Sequence, residues 1–202
     1  MDIKDYIELI HSFSKTDFEL QGGGNSICFR LQKERDFVFP KEFQEYIVHY
    51  APAHSQYLDG VGNPIDLYSA RRLSWVMNGY NYNPVDNQPI PGWDKTWFLF
   101  ADEGADPIIV DLAESNRNSK VYRAMHGAGG WDFRPIADSI GQFLLCASAL
   151  HHALSGIVDK DVLVDDGCGF NLHERSASWL FPFFRQYADK YYTDWLAVFD
   201  NS

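Results

Sequence analysis

Histidine and acidic side chains stand at several points where their spacing could support metal binding. The pair His173-Glu174 begins like the HExxH motif of zinc proteases, in which two histidines one helical turn apart bind the metal. Position 177 is alanine, so the second ligand is missing. His151 and His152 are adjacent and would lie about 100° apart on a helix, which does not suit one shared ion. Neither pattern predicts a metal site.

Two further segments resemble ligand-binding loops without meeting their requirements. The segment HGAGGWD, which begins at His126, breaks the GxGxxG spacing of dinucleotide-binding loops, and no Walker-type lysine follows it. The segment DKDVLVDD at 159–166 is similar to a calcium loop, but Leu163 and Val164 stand where an oxygen ligand and a glycine are required. We therefore expect glycine turns and a solvated acidic loop, with no cofactor and no metal.

An enzyme remains an alternative, because residues distant in the sequence can converge in a fold. In such a site His126 could act as a general base, with Asp132 and Cys146 beside it. No serine or cysteine near His126 forms a nucleophile-elbow pattern. A turn histidine that binds backbone groups is the simpler interpretation.

Composition narrows the classes of function. The 202 residues include 17 Lys and Arg against 28 Asp and Glu, a formal charge of −11. Such a chain repels phosphate backbones, which disfavours nucleic acid as a partner and favours a basic protein. The 46% hydrophobic content supplies the core of one domain.

The cysteines and the hydropathy pattern indicate a cytoplasmic protein. Cys28, Cys146 and Cys168 are far apart and odd in number, which suits a reduced compartment rather than a disulfide framework. The acidic N-terminal segment lacks the features of a signal peptide, and no apolar run is long enough for a membrane helix. We therefore expect no membrane association.

Helices are predicted at several places from apolar residues at helical spacing. The first covers 3–13, with Asp2 as its cap. The second has Pro40 in its first turn and is ended by Pro52. A third is predicted over 69–78, followed by a loop.

The middle of the chain changes to short apolar runs. WFLFA and IIVDL flank the turn DEGADP as in a hairpin, and VYRAM and WDFRPIA are further strands. A long helix follows, which Asp138 or Ser139 can cap, and Ser139 with Gln142 forms a capping box. An aromatic helix at 184–199 comes after the acidic loop. Because the strands follow one another without helices between them, we expect an α+β fold with a mainly antiparallel sheet.

The negative charge is concentrated on the predicted hairpin. Residues 101–114 hold five acids and no lysine or arginine. A concentrated acidic surface accelerates association with a basic partner. Acids beside strands can also serve only to keep sheet edges soluble. The five are Asp102, Glu103, Asp106, Asp111 and Glu114.

These segments resemble the SUKH superfamily, the Smi/Knr family. FPKEFQEYIVHY is similar to the family's Leu-Pro element before a short amphipathic helix, with Phe39 in place of leucine. WFLFADEGADPIIVDL and KVYRAMHGAGGWDFRPIADSIGQFL resemble its strand, turn, strand and following helix start. Ala105 replaces the second glycine of the turn, and Ile140 replaces a phenylalanine after Ser139. The resemblance covers about residues 2–154.

The resemblance implies a single SUKH-like domain over 1–202, with its core at about 1–154 and an acidic loop and aromatic helix at 155–202. It also implies protein binding rather than catalysis. Many bacterial members are immunity proteins that neutralise a toxin domain, often a nuclease or deaminase, and fungal relatives are regulatory scaffolds. A cognate toxin, basic in charge, is the implied partner, with no nucleic acid and no membrane. The alternative is a regulator that binds a small ligand in an aromatic groove around Trp93, Trp97 and Trp131.

Two sets of residues follow from this hypothesis. Those that match family motifs at turn and cap positions are expected to hold the fold: Pro40, Gly104, Pro107, Trp131 and Ser139. Partner contacts are expected at the acids of the hairpin and of the later loop: Asp102, Glu103, Asp106, Asp165 and Asp166.

Overall fold

Helices occupy both ends of the chain and flank a central sheet. A computed structural model of the protein describes residues 1–14, 20–114, 118–165 and 169–202. The helices of these ranges are α1 (Ile3–Phe13), α2 (Gly24–Arg35), α3 (Lys41–Glu45), α4 (Ile140–Ser155), α5 (Glu174–Tyr187) and α6 (Tyr192–Leu196).

The described strands form one large antiparallel sheet and two small hairpins. They are β1 (Gln56–Leu58), β2 (Ile65–Leu67), β3 (Tyr82–Asn83), β4 (Gln88–Pro89), β5 (Trp97–Glu103), β6 (Asp106–Asp111), β7 (Val121–Arg123), β8 (Arg134–Ala137), β9 (Leu163–Asp165) and β10 (Phe170–Leu172). The large sheet has the order β1-β2-β5-β6-β7-β8, and every neighbouring pair is antiparallel. The hairpins are β3–β4 and β9–β10. The predicted α+β class is confirmed.

The first helix forms as its sequence predicts. Asp5 donates its backbone N–H to the Asp2 carboxylate at 3.0 Å, and Asp2 donates its own to Asp5 at 2.9 Å. This reciprocal cap satisfies two amides that would otherwise lack partners. The apolar face of α1 buries Ile3, Ile7 and Ile10 and packs against α4.

The segment around Pro40 contains a buried acid that the sequence pattern does not reveal. Pro40 directly precedes α3 rather than lying in its first turn, and a π-helical turn at Tyr46–Tyr50 continues the helix. Glu42 is 6% exposed, and its carboxylate accepts backbone N–H groups of Ser119 at 2.6 Å and Gly141 at 3.1 Å. Burial raises the pKa of Glu42, and the donated N–H groups oppose that effect. Glu42 therefore joins α3 to the approach to β7 and to the first turn of α4.

The prediction of a helix over 69–78 is wrong. This segment consists of turns and extended chain, in which Leu73, Trp75 and Met77 are buried in alternation. The Trp75 indole donates to the Leu31 carbonyl of α2 at 2.7 Å. The Asn81 amide group accepts from Met77 N–H at 2.8 Å and donates to the Trp75 carbonyl at 2.5 Å. Side-chain bonds thus satisfy backbone groups that a helix would pair, and the alternation matches an extended strand-like period.

The central hairpin is tighter than predicted. Strands β5 and β6 are joined by Gly104 and Ala105 alone, with φ of +58° and +80°. A two-residue hairpin turn that follows the right-handed twist of its strands requires positive φ at both central residues. A Cβ at Gly104 would lie 2.4 Å from the Asn63 side chain, so glycine is required there for space as well.

Helix α4 is the central helix of the core. Ser139 Oγ accepts the N–H of Gln142 at 3.0 Å, as a cap should. The Gln142 side chain accepts from Asp138 N–H at 2.7 Å rather than from Ser139, so the predicted capping box is displaced by one residue. The helix is buried almost all round, because α1, α5, β1 and β8 surround it.

The predicted aromatic helix at the end of the chain is divided. Helix α5 ends at Tyr187, Asp189 adopts φ of +52°, and a 3-10 turn leads into α6. A left-handed residue ends the α-helical path, which explains the break. These helices form a second apolar cluster with the end of α4, built from residues including Leu150, Leu180 and Phe184.

Candidate functional site

The three hairpin acids proposed for partner contact do not share one face. Asp102 and Glu103 are consecutive in β5, so their side chains point to opposite sides of the sheet. Asp102 accepts the Tyr68 hydroxyl at 2.5 Å on one side. Glu103 forms an ion pair with Arg123 on the other, in a cleft of about 160 Å³ next to Trp195.

Asp106 lies opposite Glu103 in the strand register, but its carboxylate binds a backbone N–H of the next connection rather than Arg123. Asp106 begins β6, and its carboxylate accepts the backbone N–H of His126 at 2.7 Å. Asp102 also accepts the N–H of Ala105 at 3.2 Å, which closes the turn. Both carboxylates lie close enough to the Tyr80 hydroxyl to affect its ionisation. Burial, followed by the charge of Asp102, raises the pKa of Tyr80 to about 12, and Asp106 acts in the same direction.

The later loop carries the other two acids proposed for partner contact. Asp165 ends β9, and Asp166 lies outside the described residues. The predicted acidic loop at 159–166 thus contains the strand β9, which pairs with β10.

A polar network of Asp66, Tyr68 and Arg72 lies next to Asp102. Arg72 pairs with Asp66, and its guanidinium stacks 3.7 Å from the centroid of the Tyr68 ring. Burial and the adjacent Asp102 carboxylate raise the pKa of Tyr68. The Tyr68 hydroxyl therefore stays protonated and donates a hydrogen bond to Asp102, which holds that carboxylate in a defined orientation.

Next to these acids lies a group of mutually packed rings, which we call the aromatic patch. The Trp93 and Trp131 ring centroids are 5.3 Å apart in an edge-to-face arrangement, and Tyr80 lies 6.2 Å from Trp93 and 6.4 Å from Trp131. The rings are half-buried except for His126, which is exposed. The patch consists of Tyr80, Trp93, His126, Trp131 and Phe133.

Three separate loops supply the rings. Tyr80 follows Gly79, whose φ of +86° turns the chain, and Trp93 follows β4. Trp131 and Phe133 lie in the connection from β7 to β8. The Trp93 loop is held by Asp94, whose carboxylate accepts the N–H and the hydroxyl of Thr96, both at 2.8 Å. These bonds lower the pKa of Asp94.

The patch includes residues that the sequence suggested for different reasons. Trp93, Trp97 and Trp131 were proposed to line a groove, and the structure brings them together through Phe133, which lies 4.6 Å from Trp97. Trp131, expected to hold the fold, makes its described ring contacts only within the patch. The sequence does not indicate Tyr80 and Phe133 as site residues, although each lies within a few positions of a glycine turn.

The other family-motif positions have structural roles. Gly104 forms the hairpin turn, Ser139 caps α4, and Pro40 directly precedes α3. Pro107 is buried opposite Asp102 in the strand register, and its carbonyl accepts the N–H of Ala124 at 3.2 Å.

A second, larger depression of about 990 Å³ lies between the end of the sheet and α6. Four basic residues line it, but each faces an acid: Lys120 with Glu114, Arg123 with Glu103, Arg134 with Asp132 and Lys190 with Asp138. The positive charge of this depression is therefore largely compensated, in contrast to the acids beside the aromatic patch.

The enzyme alternative requires residues that the fold separates. Cys146 is fully buried in α4, and burial raises the pKa of its thiol. His126 and Asp132 lie at exposed positions, and Asp132 pairs with Arg134 at 3.1 Å. Within the described ranges, no three His, Cys, Asp or Glu side chains are grouped to hold a metal.

The comparison with protein families agrees with this architecture. The chain belongs to the SMI1/KNR4 family (SUKH-1), whose family model matches residues 28–146. The match runs from α2 through the hairpin to the middle of α4. The predicted superfamily is thereby confirmed. A comparison with curated proteins gave no match. In the part of the chain that the structure describes, no helix is long and apolar enough to cross a membrane.

Proposed function

We propose that this protein is a cytoplasmic immunity protein that neutralises a bacterial toxin by binding it directly, without catalysis. Membership of the SMI1/KNR4 family (SUKH-1) carries this proposal. The resemblance of the chain to bacterial family members points to a toxin domain of the nuclease or deaminase type. The formal charge of −11 supports a basic partner, because opposite net charges accelerate association.

The geometry supports binding more than catalysis. Two carboxylates near the patch already have partners within the protein: Asp102 accepts the Tyr68 hydroxyl, and Asp66 forms an ion pair with Arg72. A nucleophile or general base needs a free, reactive atom that faces a substrate. A half-buried aromatic patch at the surface, in contrast, is typical of protein interfaces, where Trp and Tyr are enriched.

A growth-rescue experiment tests the proposal. Toxin domains encoded beside this gene are expressed from an inducible promoter in a sensitive host, with and without this protein. We expect the protein to restore growth and to co-purify with one of these domains. A matched catalytically inactive toxin controls for expression burden. Failure of every neighbouring toxin domain to bind or to be neutralised would contradict the immunity role.

A regulator that binds a small ligand is the second candidate. A groove of about 230 Å³ beside the patch favours it, with Trp75, Trp93 and Trp97 in its wall together with Arg35 and Lys95. Such a site would suit an aromatic anion. A thermal-shift screen of nucleotides and aromatic acids tests it, since a ligand that binds only the folded state raises the unfolding temperature. No shift with any of these compounds would remove this candidate.

A further inference from the structure

We infer that the aromatic patch, together with Asp102 and Asp106, is the docking surface for the partner, and that it receives an arginine side chain from a basic protein segment. The inference depends on the proposed function only for the identity of that partner.

The exposure of the rings is the first observation. Tyr80, Trp93 and Trp131 are half-buried, and the exposed residues of the HGAGG turn lie beside them. The two indoles pack edge to face, and the Tyr80 ring is tilted against both. Rings of this size bury large areas on contact and lose little conformational freedom, since they have only two side-chain torsions. A cluster of Trp and Tyr at a surface is the usual composition of the residues that dominate binding energy.

Charge decides which partner fits. None of the ion pairs that join described residues includes Asp102 or Asp106. Arg72, the nearby cation, is already engaged with Asp66 and stacked on Tyr68. The patch thus offers ring faces beside two carboxylates that form no ion pair with a described residue. A guanidinium can stack on an indole and bind a carboxylate at the same time, which an ammonium does less well.

The surface is also organised before any partner arrives. Asp106 is held by the His126 N–H at 2.7 Å, and Asp102 by the Tyr68 hydroxyl at 2.5 Å. The Trp93 indole donates to the Trp97 carbonyl at 3.2 Å. Groups that are already ordered lose less entropy when they bind.

Glu103 provides an internal contrast. It belongs to the same hairpin, but its carboxylate pairs with Arg123 in the cleft next to Trp195. The inference therefore assigns partner contact to Asp102 and Asp106 and not to Glu103.

A peptide experiment tests the surface without knowledge of the partner. The ¹⁵N-labelled full chain is titrated with acetyl-(Gly-Arg)₄-amide and, separately, with acetyl-(Gly-Glu)₄-amide, and the indole N–H signals are followed by NMR. We expect the arginine peptide alone to shift the signals of Trp93 and Trp131. Trp131→Ala should weaken its binding about tenfold or more, and Asp106→Asn about threefold at low salt. Asparagine keeps the acceptor for His126 N–H and removes only the charge.

Matched controls separate the surface from general effects. Tyr57→Ala removes an aromatic ring that is 66% exposed on the edge strand β1, and Glu8→Gln removes an exposed acid from α1. Both should bind the arginine peptide as the wild type does. Far-UV circular dichroism and thermal unfolding confirm that each variant is folded, and Trp131→Tyr is used if the alanine variant is not.

The outcomes distinguish this inference from the proposed function. Selective arginine-peptide binding at the patch supports the inference even if no toxin is neutralised. If a toxin is neutralised and Trp131→Ala or Trp131→Tyr binds it with unchanged affinity, the immunity role stands and the inference is wrong. Equal shifts with both peptides, or none with either, also overturn it.

Discussion

Substitution of Glu42 tests whether one buried carboxylate holds three elements together. Glu42 accepts the N–H groups of Ser119 and Gly141 while only 6% exposed. A bond to a charged group contributes about 1.5–3 kcal/mol, and a buried N–H left without a partner costs a similar amount. We therefore expect Glu42→Ala to lower the free energy of unfolding by about 3–5 kcal/mol. Glu42→Gln, which keeps one carbonyl acceptor, should cost about 1–2 kcal/mol.

The measurement is urea unfolding followed by tryptophan fluorescence, with thermal unfolding in parallel. For a chain of this length, the cost of Glu42→Gln corresponds to a fall in Tm of about 2–8 °C. Glu45→Gln is the matched control, because Glu45 is on the same helix, 38% exposed at its side chain, and paired with Lys41 at 3.4 Å. An exposed pair of this kind contributes about 0–1 kcal/mol. If Glu42→Gln and Glu45→Gln have equal effects, the argument from burial is refuted.

The pH dependence gives a second check with a defined sign. Because burial raises the pKa of Glu42 above its usual 4.5, the folded protein binds this proton more tightly than the unfolded chain does. The contribution of this proton to the free energy of unfolding is fully present below pH 4.5 and is lost as the pH rises through the pKa of Glu42 in the folded protein. The stability difference between wild type and Glu42→Gln should therefore widen on acidification. A difference that is constant or narrows towards low pH would contradict the raised pKa.

Three further predictions concern backbone strain and one buried donor. Ala105→Gly should stabilise the protein by about 0.5–1 kcal/mol, because the strain of a left-handed alanine at φ +80° exceeds the entropic cost of a glycine. Gly104→Ala should destabilise the protein by about 1–2 kcal/mol or more. Urea unfolding midpoints in the opposite order would contradict the turn assignment. Asp189→Gly should raise the free energy of unfolding by about 0.5 kcal/mol, because Asp189 adopts a left-handed φ of +52°. A lower unfolding temperature would show that the Asp189 side chain has another role. Trp75→Phe should cost about 1–3 kcal/mol, since the Leu31 carbonyl loses a buried donor, and an unchanged urea midpoint would refute that role.

Part of the fold could be predicted from local pattern alone. The helix α1 with its Asp2 cap, the hairpin of β5 and β6, and the start of α4 at Ser139 all follow from spacing, turn chemistry and capping. The opposite orientations of Asp102 and Glu103 were also implicit, because consecutive strand residues alternate in direction. Such features depend on interactions within a few residues, which sequence spacing records.

The candidate site depended on contacts that spacing does not record. The segment 69–78 has apolar residues compatible with a helix, but the Trp75 indole binds the Leu31 carbonyl, 44 positions earlier, and the chain stays extended. The aromatic patch joins rings from three loops, and its local pattern shows only isolated aromatic residues. The sequence by itself thus determined the family, the main elements and the excess of acids. Only the tertiary structure decided which acids lie beside the aromatic patch and which form an ion pair with a cation, since both depend on packing between residues distant along the chain.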